Sequence, residues 1–284
     1  MRVQSLSVSV PGTGCINNCK FCVSRMRSKD EYQSPLDSEA LKKEYVSRLT
    51  FARESGCNTM MITGTLEPQQ SMGFLRILSE MNKSLSRPFQ NIEIQTTGRD
   101  VDFEELRKLG IKTVSISVSC LDSDDVWKDI LGINKPICLE EICNKVLREG
   151  MNLRLSLNLV NQLLSDGSKD PEKIFTRCKV LGANQVTLRK MYFGPSGSKQ
   201  FDWLIKNSWR QEEIDRIDGY IYCHGRFLDI LEYGQKRYSI HGMSVVLDDD
   251  CMATKINVES VKYMILRENA KLYTKWDDPG SLIF

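Results

Sequence analysis

The sequence predicts an α/β fold built from parallel βαβ units. Two observations carry this expectation. Six short runs that alternate apolar and polar residues, or are rich in β-branched ones, are each followed by a helical pattern or a strand-end loop. Glycine and proline separate the runs in regular order. An open sheet and a partly closed barrel satisfy this pattern equally, because periodicity reports faces and not closure. A chain of 284 residues can bury one barrel-like core with an appendage, or two domains.

Val3 to Val10 alternates as a strand, and Pro11-Gly12-Thr13-Gly14 ends it. Ser34-Pro35-Leu36-Asp37-Ser38-Glu39 reads as a helix start, with proline in the first turn and acids near the positive end. Leu41, Tyr45, Leu49 and Ala52 then recur at helical spacing, and Gly56 is a stop. Asn58 to Thr63 is a second strand, Phe74 to Leu85 a helix, Ile92 to Thr97 a third strand, and Phe103 to Leu109 a short helix before Gly110. Val114 to Ser119 forms the fourth strand, with one or two helices up to Arg148. Leu153 to Val160 forms the fifth, Asp170-Pro171 caps a helix through Leu181, and Gln185 to Arg189 forms the sixth.

After Pro195 the pattern changes. Phe201 to Trp209 and Glu212 to Tyr233 are expected to be helical, Met243 to Leu247 and Val261 to Leu266 to be strands, and Lys271 to Trp276 to return as a hairpin. A boundary near residue 210 divides the chain into a core, 1–210, and a C-terminal α+β extension, 211–284.

Lys plus Arg total 39 against 37 Asp plus Glu, a formal charge of +2, so no global field recruits nucleic acid or membrane. No run of eighteen apolar residues exists, and Met1 to Ser5 opens no secretory signal, so a cytoplasmic location is expected. The ten cysteines form no regular disulfide pattern. Most of those beyond the first three are expected to be small buried hydrophobes.

Those first three stand apart. Cys15, Cys19 and Cys22 lie in Gly14-Cys15-Ile16-Asn17-Asn18-Cys19-Lys20-Phe21-Cys22, on the loop at the carboxyl end of the first strand, where parallel α/β proteins build their sites. Three thiolates can hold a cubane iron–sulfur cluster and leave one iron without a protein ligand. Structural zinc would need a fourth ligand, and His224 and His241 are remote in sequence. The C-x3-C-x2-C spacing, with an aromatic residue before the third cysteine, resembles the signature of the radical S-adenosylmethionine (SAM) superfamily. The core looks most like its molybdenum-cofactor-biosynthesis and SPASM-type members, without their auxiliary-cluster cysteines.

The resemblance implies a partial (βα)6 TIM-like barrel over roughly residues 1–200, a [4Fe-4S] cluster on Cys15, Cys19 and Cys22, and SAM chelating the open iron. It also implies an external one-electron donor of flavodoxin or ferredoxin type, and cleavage of SAM to a 5′-deoxyadenosyl radical that takes hydrogen from a substrate. Phe21 would frame the adenine. Thr63-Gly64-Thr65-Leu66-Glu67-Pro68 looks like the family's Gly-Gly-Glu-Pro motif, with Thr65 in place of the second glycine and Leu66 inserted. There Gly64 and Thr65 would let backbone approach SAM, and Glu67 would meet its amino group. Ser117 and Ser119 share one face of the fourth strand, and Ser119 is the better positional match to a SAM-contacting serine. Asn158 shares a face with Arg154 and Ser156 on the fifth, and Arg189 and Met191 end the sixth.

Each of these also has a plain reading, as turn, sheet-face or surface residue. The run Asp248-Asp249-Asp250-Cys251 offers Asp250 and Cys251 as candidate catalytic groups, against a solvated acidic turn beside a buried thiol. The substrate expected is a small molecule or nucleotide. The alternatives are a glycyl-radical activase, a peptide-modifying radical SAM enzyme, and a non-catalytic metal-binding protein.

Overall fold

Alternation places Leu6, Val8 and Val10 on one face of β1 (Arg2–Val10), and all three are fully buried. The computed structural model describes residues 2–26, 38–194, 196–252, 260–276 and 278–284. The expected helix start at Ser34 to Asp37 lies outside them. Ser38 is the N-cap of α1 (Glu39–Glu54), accepting from the Leu41 amide at 3.1 Å. The chain continues through β2 (Thr59–Gly64), α2 (Met72–Ser84), β3 (Asn91–Thr96), α3 (Phe103–Lys108), β4 (Thr113–Val118), α4 (Asp124–Leu131) and α5 (Leu139–Arg148). Then come β5 (Asn152–Asn158), α6 (Pro171–Val180), β6 (Gln185–Arg189), α7 (Lys199–Asn207) and α8 (Gln211–His224). The last elements are β7 (Arg226–Ile230), β8 (Lys236–Ile240), β9 (Met243–Asp248), β10 (Ser260–Leu266) and β11 (Leu272–Tyr273).

All the strands form one sheet, in the order β11-β10-β1-β2-β3-β4-β5-β6-β9-β8-β7. From β10 through β1 to β6 and on to β9 every neighbour is parallel. The parallel stretch therefore has two strands more than the six expected, and the C-terminal residues extend the same sheet at both ends. Among the described residues no backbone pairing joins β9 to β10. Across that seam Lys262 Nζ meets Asp248 Oδ1 at 2.5 Å and the Asp250 carbonyl at 2.6 Å. The result is a TIM-like barrel with one open seam.

The outer face of the strands (Val8, Ile62, Ile94, Ile116, Leu155, Leu188) packs against Tyr45, Leu49, Phe74, Leu78, Trp127 and Phe175 from the helices. The inner face carries short polar groups such as Ser7, Thr63, Ser115, Ser117 and Ser156, which leaves open space along the axis. One expectation fails. The helix read over Glu212 to Tyr233 ends at His224, and Arg226 to Ile230 is a strand. At the break, a side chain on Gly225 would stand 2.5 Å from the Ile221 carbonyl, so only glycine lets the chain turn there.

Candidate active site

The loop after β1 is held from three sides. From below, the Asn17 amide group donates to Glu67 Oε1 at 2.8 Å and to Thr97 Oγ1 at 3.0 Å. From the side, the Asn18 and Lys20 amides donate to the Leu131 and Ile130 carbonyls at 2.8 and 3.0 Å, so the carboxyl end of α4 fixes the backbone on either side of Cys19. Gly132, at φ +62°, makes this approach possible, since a side chain there would sit 2.6 Å from the Asn18 carbonyl oxygen. From the rim, Gln70 accepts from the Ile16 amide at 2.9 Å and donates to the Gly14 carbonyl at 3.1 Å, and Arg99 donates to the Ile16 carbonyl at 2.8 Å.

Cys15, Cys19 and Cys22 are each half-buried around a cavity of about 170 Å³ that Phe21, Gly64, Thr65, Glu67, Ser117 and Arg189 also line. Burial pushes the Cys15 and Cys19 thiols up, Cys19 well above the ordinary range, and Cys22 and Glu67 add like charge. Three cysteine sulfurs around one cavity form a donor set that fits an iron–sulfur cluster.

A second cavity of about 240 Å³ continues from the first, lined by Cys19, Phe21, Cys22, Gly64, Ser117, Asn158, Arg189, Met191, Cys251, Tyr263 and Trp276. The strand ends thus bring together Phe21, Gly64, Thr65, Ser117, Asn158, Arg189 and Met191, all expected from the sequence.

Three expected residues have a different situation. Ser119 is fully buried behind Asn158, whose amide donates to it at 3.0 Å and to Ser117 at 3.1 Å; Ser117 is the one that faces the cavity. Glu67 is 6 % exposed and its two oxygens accept from Asn17, Gln69, Thr96 and the Thr97 amide, which uses the lone pairs that an ammonium group would need. Asp250 is buried away from the cavity, where Tyr233 donates to it at 3.2 Å. The acidic run is a solvated turn only at Asp249, because Lys262 draws Asp248 and the Asp250 backbone inward. Cys251 does face the cavity, and burial pushes its thiol up to about 11.

Asn17, Gln95, Lys262 and Tyr263 also shape the site, and no motif in the sequence singles them out. Gln95 sits on the inner face of β3, and strict alternation from Glu93 would have found it. The family model of the Radical SAM superfamily matches residues 9–160, more than half of the chain. Over 96 % of its length the chain superposes on S-adenosylmethionine-bound SuiB from Streptococcus suis, with a TM-score of 0.62 at 12 % identity. SuiB bound to its precursor peptide SuiA gives 0.62 at 14 % identity. An AdoMet-bound structure of anSMEcpe gives 0.57 at 14 % identity, covering 95 % of this chain and 74 % of that one. The chain spans 60 % of the length of the SuiB chains, and at these identities the likeness is one of fold.

Proposed function

The chain belongs to the radical SAM superfamily, whose enzymes use a [4Fe-4S] cluster and SAM, and on that premise we propose that Cys15, Cys19 and Cys22 hold the cluster. Reduced by one electron, the bound cluster supplies the cleavage of SAM to methionine and a 5′-deoxyadenosyl radical that takes hydrogen from a substrate. The observation that carries this reading is the meeting of the three thiols with Gly64, Thr65, Ser117 and Asn158 around connected cavities at the carboxyl ends of the strands.

The chain's own residues do the positioning. Glu67 acts through Asn17 to fix the loop, rather than on SAM. Gly64 has Val10 and Leu66 carbonyls 3.1 Å from any added side chain, so the backbone stays bare toward the cavity. Phe21, whose ring lies 6.1 Å from that of Trp203, and Met191 offer apolar walls for an adenine. Ser117 and Asn158 offer a hydroxyl and an amide for the polar part of SAM.

Radical SAM enzymes require an electron donor. A flavodoxin or ferredoxin is our proposal for this one, in the cytoplasm. No helix among the described residues is long and apolar enough to cross a membrane. We favour a small-molecule substrate, because the chamber toward the amino ends of the strands, of about 280 Å³, is walled largely by polar and charged side chains. A peptide is the second reading, supported by the likeness to SuiB, which has been solved with its precursor peptide. Electron paramagnetic resonance tests the cofactor assignment. The reduced, reconstituted protein should give a [4Fe-4S]+ signal whose shape changes on adding SAM. A signal indifferent to SAM would count against it.

A further inference from the structure

Arg189 ends β6 and points to the barrel axis. It lines both cavities described above and a third, of about 280 Å³, toward the amino ends of the strands. That lower chamber is polar, walled by Gln95, Glu93, Arg154, Gln185, Asp248 and Lys262. Gln95 and Arg189 line all three spaces, so they stand where the lower chamber joins the cavities near the thiols.

Asp248 and Glu93 act on the guanidinium through space, but none of the described residues bonds it directly. Its Nε is buried without a hydrogen bond, and no described residue forms an ion pair with it. The acids nearby are taken: Glu93 pairs with Arg154, Asp248 with Lys262 at 2.5 Å, and Asp250 turns away to Tyr233. Two weaker acids face the same space and supply no charge at neutral pH, since burial pushes the Tyr263 phenol well above its usual range and the Cys251 thiol up to about 11. The residue as a whole is half-buried at the cavity wall, and its planar guanidinium fork matches a carboxylate or phosphate.

We propose that Arg189 seats an anionic group of the substrate, so that the molecule losing hydrogen is a small polar acid or phosphoester lying across the junction. This rests on the cofactor assignment above, which puts the reacting carbon in the cavity beside the thiols. SAM would be held on the side of the cysteine loop, whereas Arg189 also walls the chamber beyond it, a space that none of the three cysteines lines.

SAM carries a carboxylate of its own, and the test separates the two sources. Acetate and inorganic phosphate are titrated calorimetrically into the anaerobically reconstituted protein, with and without saturating SAM, using acetamide as the neutral control. The expected result is one saturable site for acetate or phosphate in the SAM-loaded protein, at least ten-fold weaker in Arg189→Gln and largely restored in Arg189→Lys. Without anion, Arg189→Gln should still melt in one cooperative transition, so that lost binding is not lost structure. Millimolar anion should raise the melting temperature of the wild type but not of Arg189→Gln. No saturable site in the SAM-loaded protein, equal binding to Arg189→Gln, or binding that SAM displaces would overturn the proposal, the last by placing the carboxylate of SAM on Arg189. The titrations need no turnover, so failure of the cofactor reading would appear separately, as absent cluster or absent 5′-deoxyadenosine.

Discussion

Lys262 of β10 reaches across the open seam of the barrel to Asp248 of β9, Nζ to Oδ1 at 2.5 Å, with both side chains less than a tenth exposed. The ammonium also lies 5.3 Å from the Tyr263 ring centre and 5.6 Å from that of Tyr233. This pair does across the seam what backbone hydrogen bonds do elsewhere in the sheet. Lys262→Met leaves a buried carboxylate unpaired and should cost about 3–5 kcal/mol, read by urea denaturation. Adding Asp248→Leu should recover at least half of the loss. Full additivity of the two losses would mean that the pair does not couple the strands.

Glu67 and Asn17 give a second test. Glu67→Gln keeps the volume but exchanges one acceptor oxygen for a donor facing Asn17, Thr96 or the Thr97 amide. A buried unmatched donor costs about 1–3 kcal/mol. Cluster content after reconstitution should fall with stability, because the loop loses its anchor. Unchanged iron content with weaker SAM binding would instead put Glu67 on SAM.

Gly132→Ala strains the loop from the other side. Its left-handed backbone and the Asn18 carbonyl 2.6 Å from the new methyl should cost about 1–3 kcal/mol and lower iron loading. Gly150→Ala is the control, at φ +69° with no atom within 4 Å, and should cost stability without touching the iron.

The buried thiols make the cluster-free protein sensitive to alkali. Burial pushes Cys57 and Cys143 up to about 12 from an ordinary value near 9. A raised folded value means that the unfolded chain gives up these protons first. Stability is thus intact below about pH 9 and falls above it by about 1.4 kcal/mol per pH unit for each such thiol, up to the folded value. Replacing Cys143 with alanine should reduce the slope of stability against pH between 9 and 10.5 by one proton. An unchanged slope would mean that the thiol ionises as easily folded as unfolded.

Much of the site was legible because it is local. Alternation is enough to put Ser117 opposite its apolar neighbours Ile116 and Val118, and to set Arg154, Ser156 and Asn158 on one face. The thiol loop follows a strand that ends in Pro11 and Gly12, and the structure has it there. What local pattern does not carry is which distant strands meet. β10 pairs with β1 across almost the whole chain, and β9 pairs with β6 after two helices and a hairpin, so the pattern shows Met243 to Leu247 and Val261 to Leu266 as strands but not their place in the parallel sheet. The acidic run was read as solvated because its partner, Lys262, lies beyond the next segment. Ser117 and Ser119 are equivalent by period, and only the amide of Asn158 separates them.

One anaerobic assay decides whether the three thiols carry a working cluster. The reconstituted, reduced protein is given SAM, and 5′-deoxyadenosine is measured beside a Cys19→Ala control. The wild type should form 5′-deoxyadenosine and methionine in equal amounts, and the variant neither. A wild type that carries its four irons and yields no more 5′-deoxyadenosine than Cys19→Ala would contradict the cluster assignment.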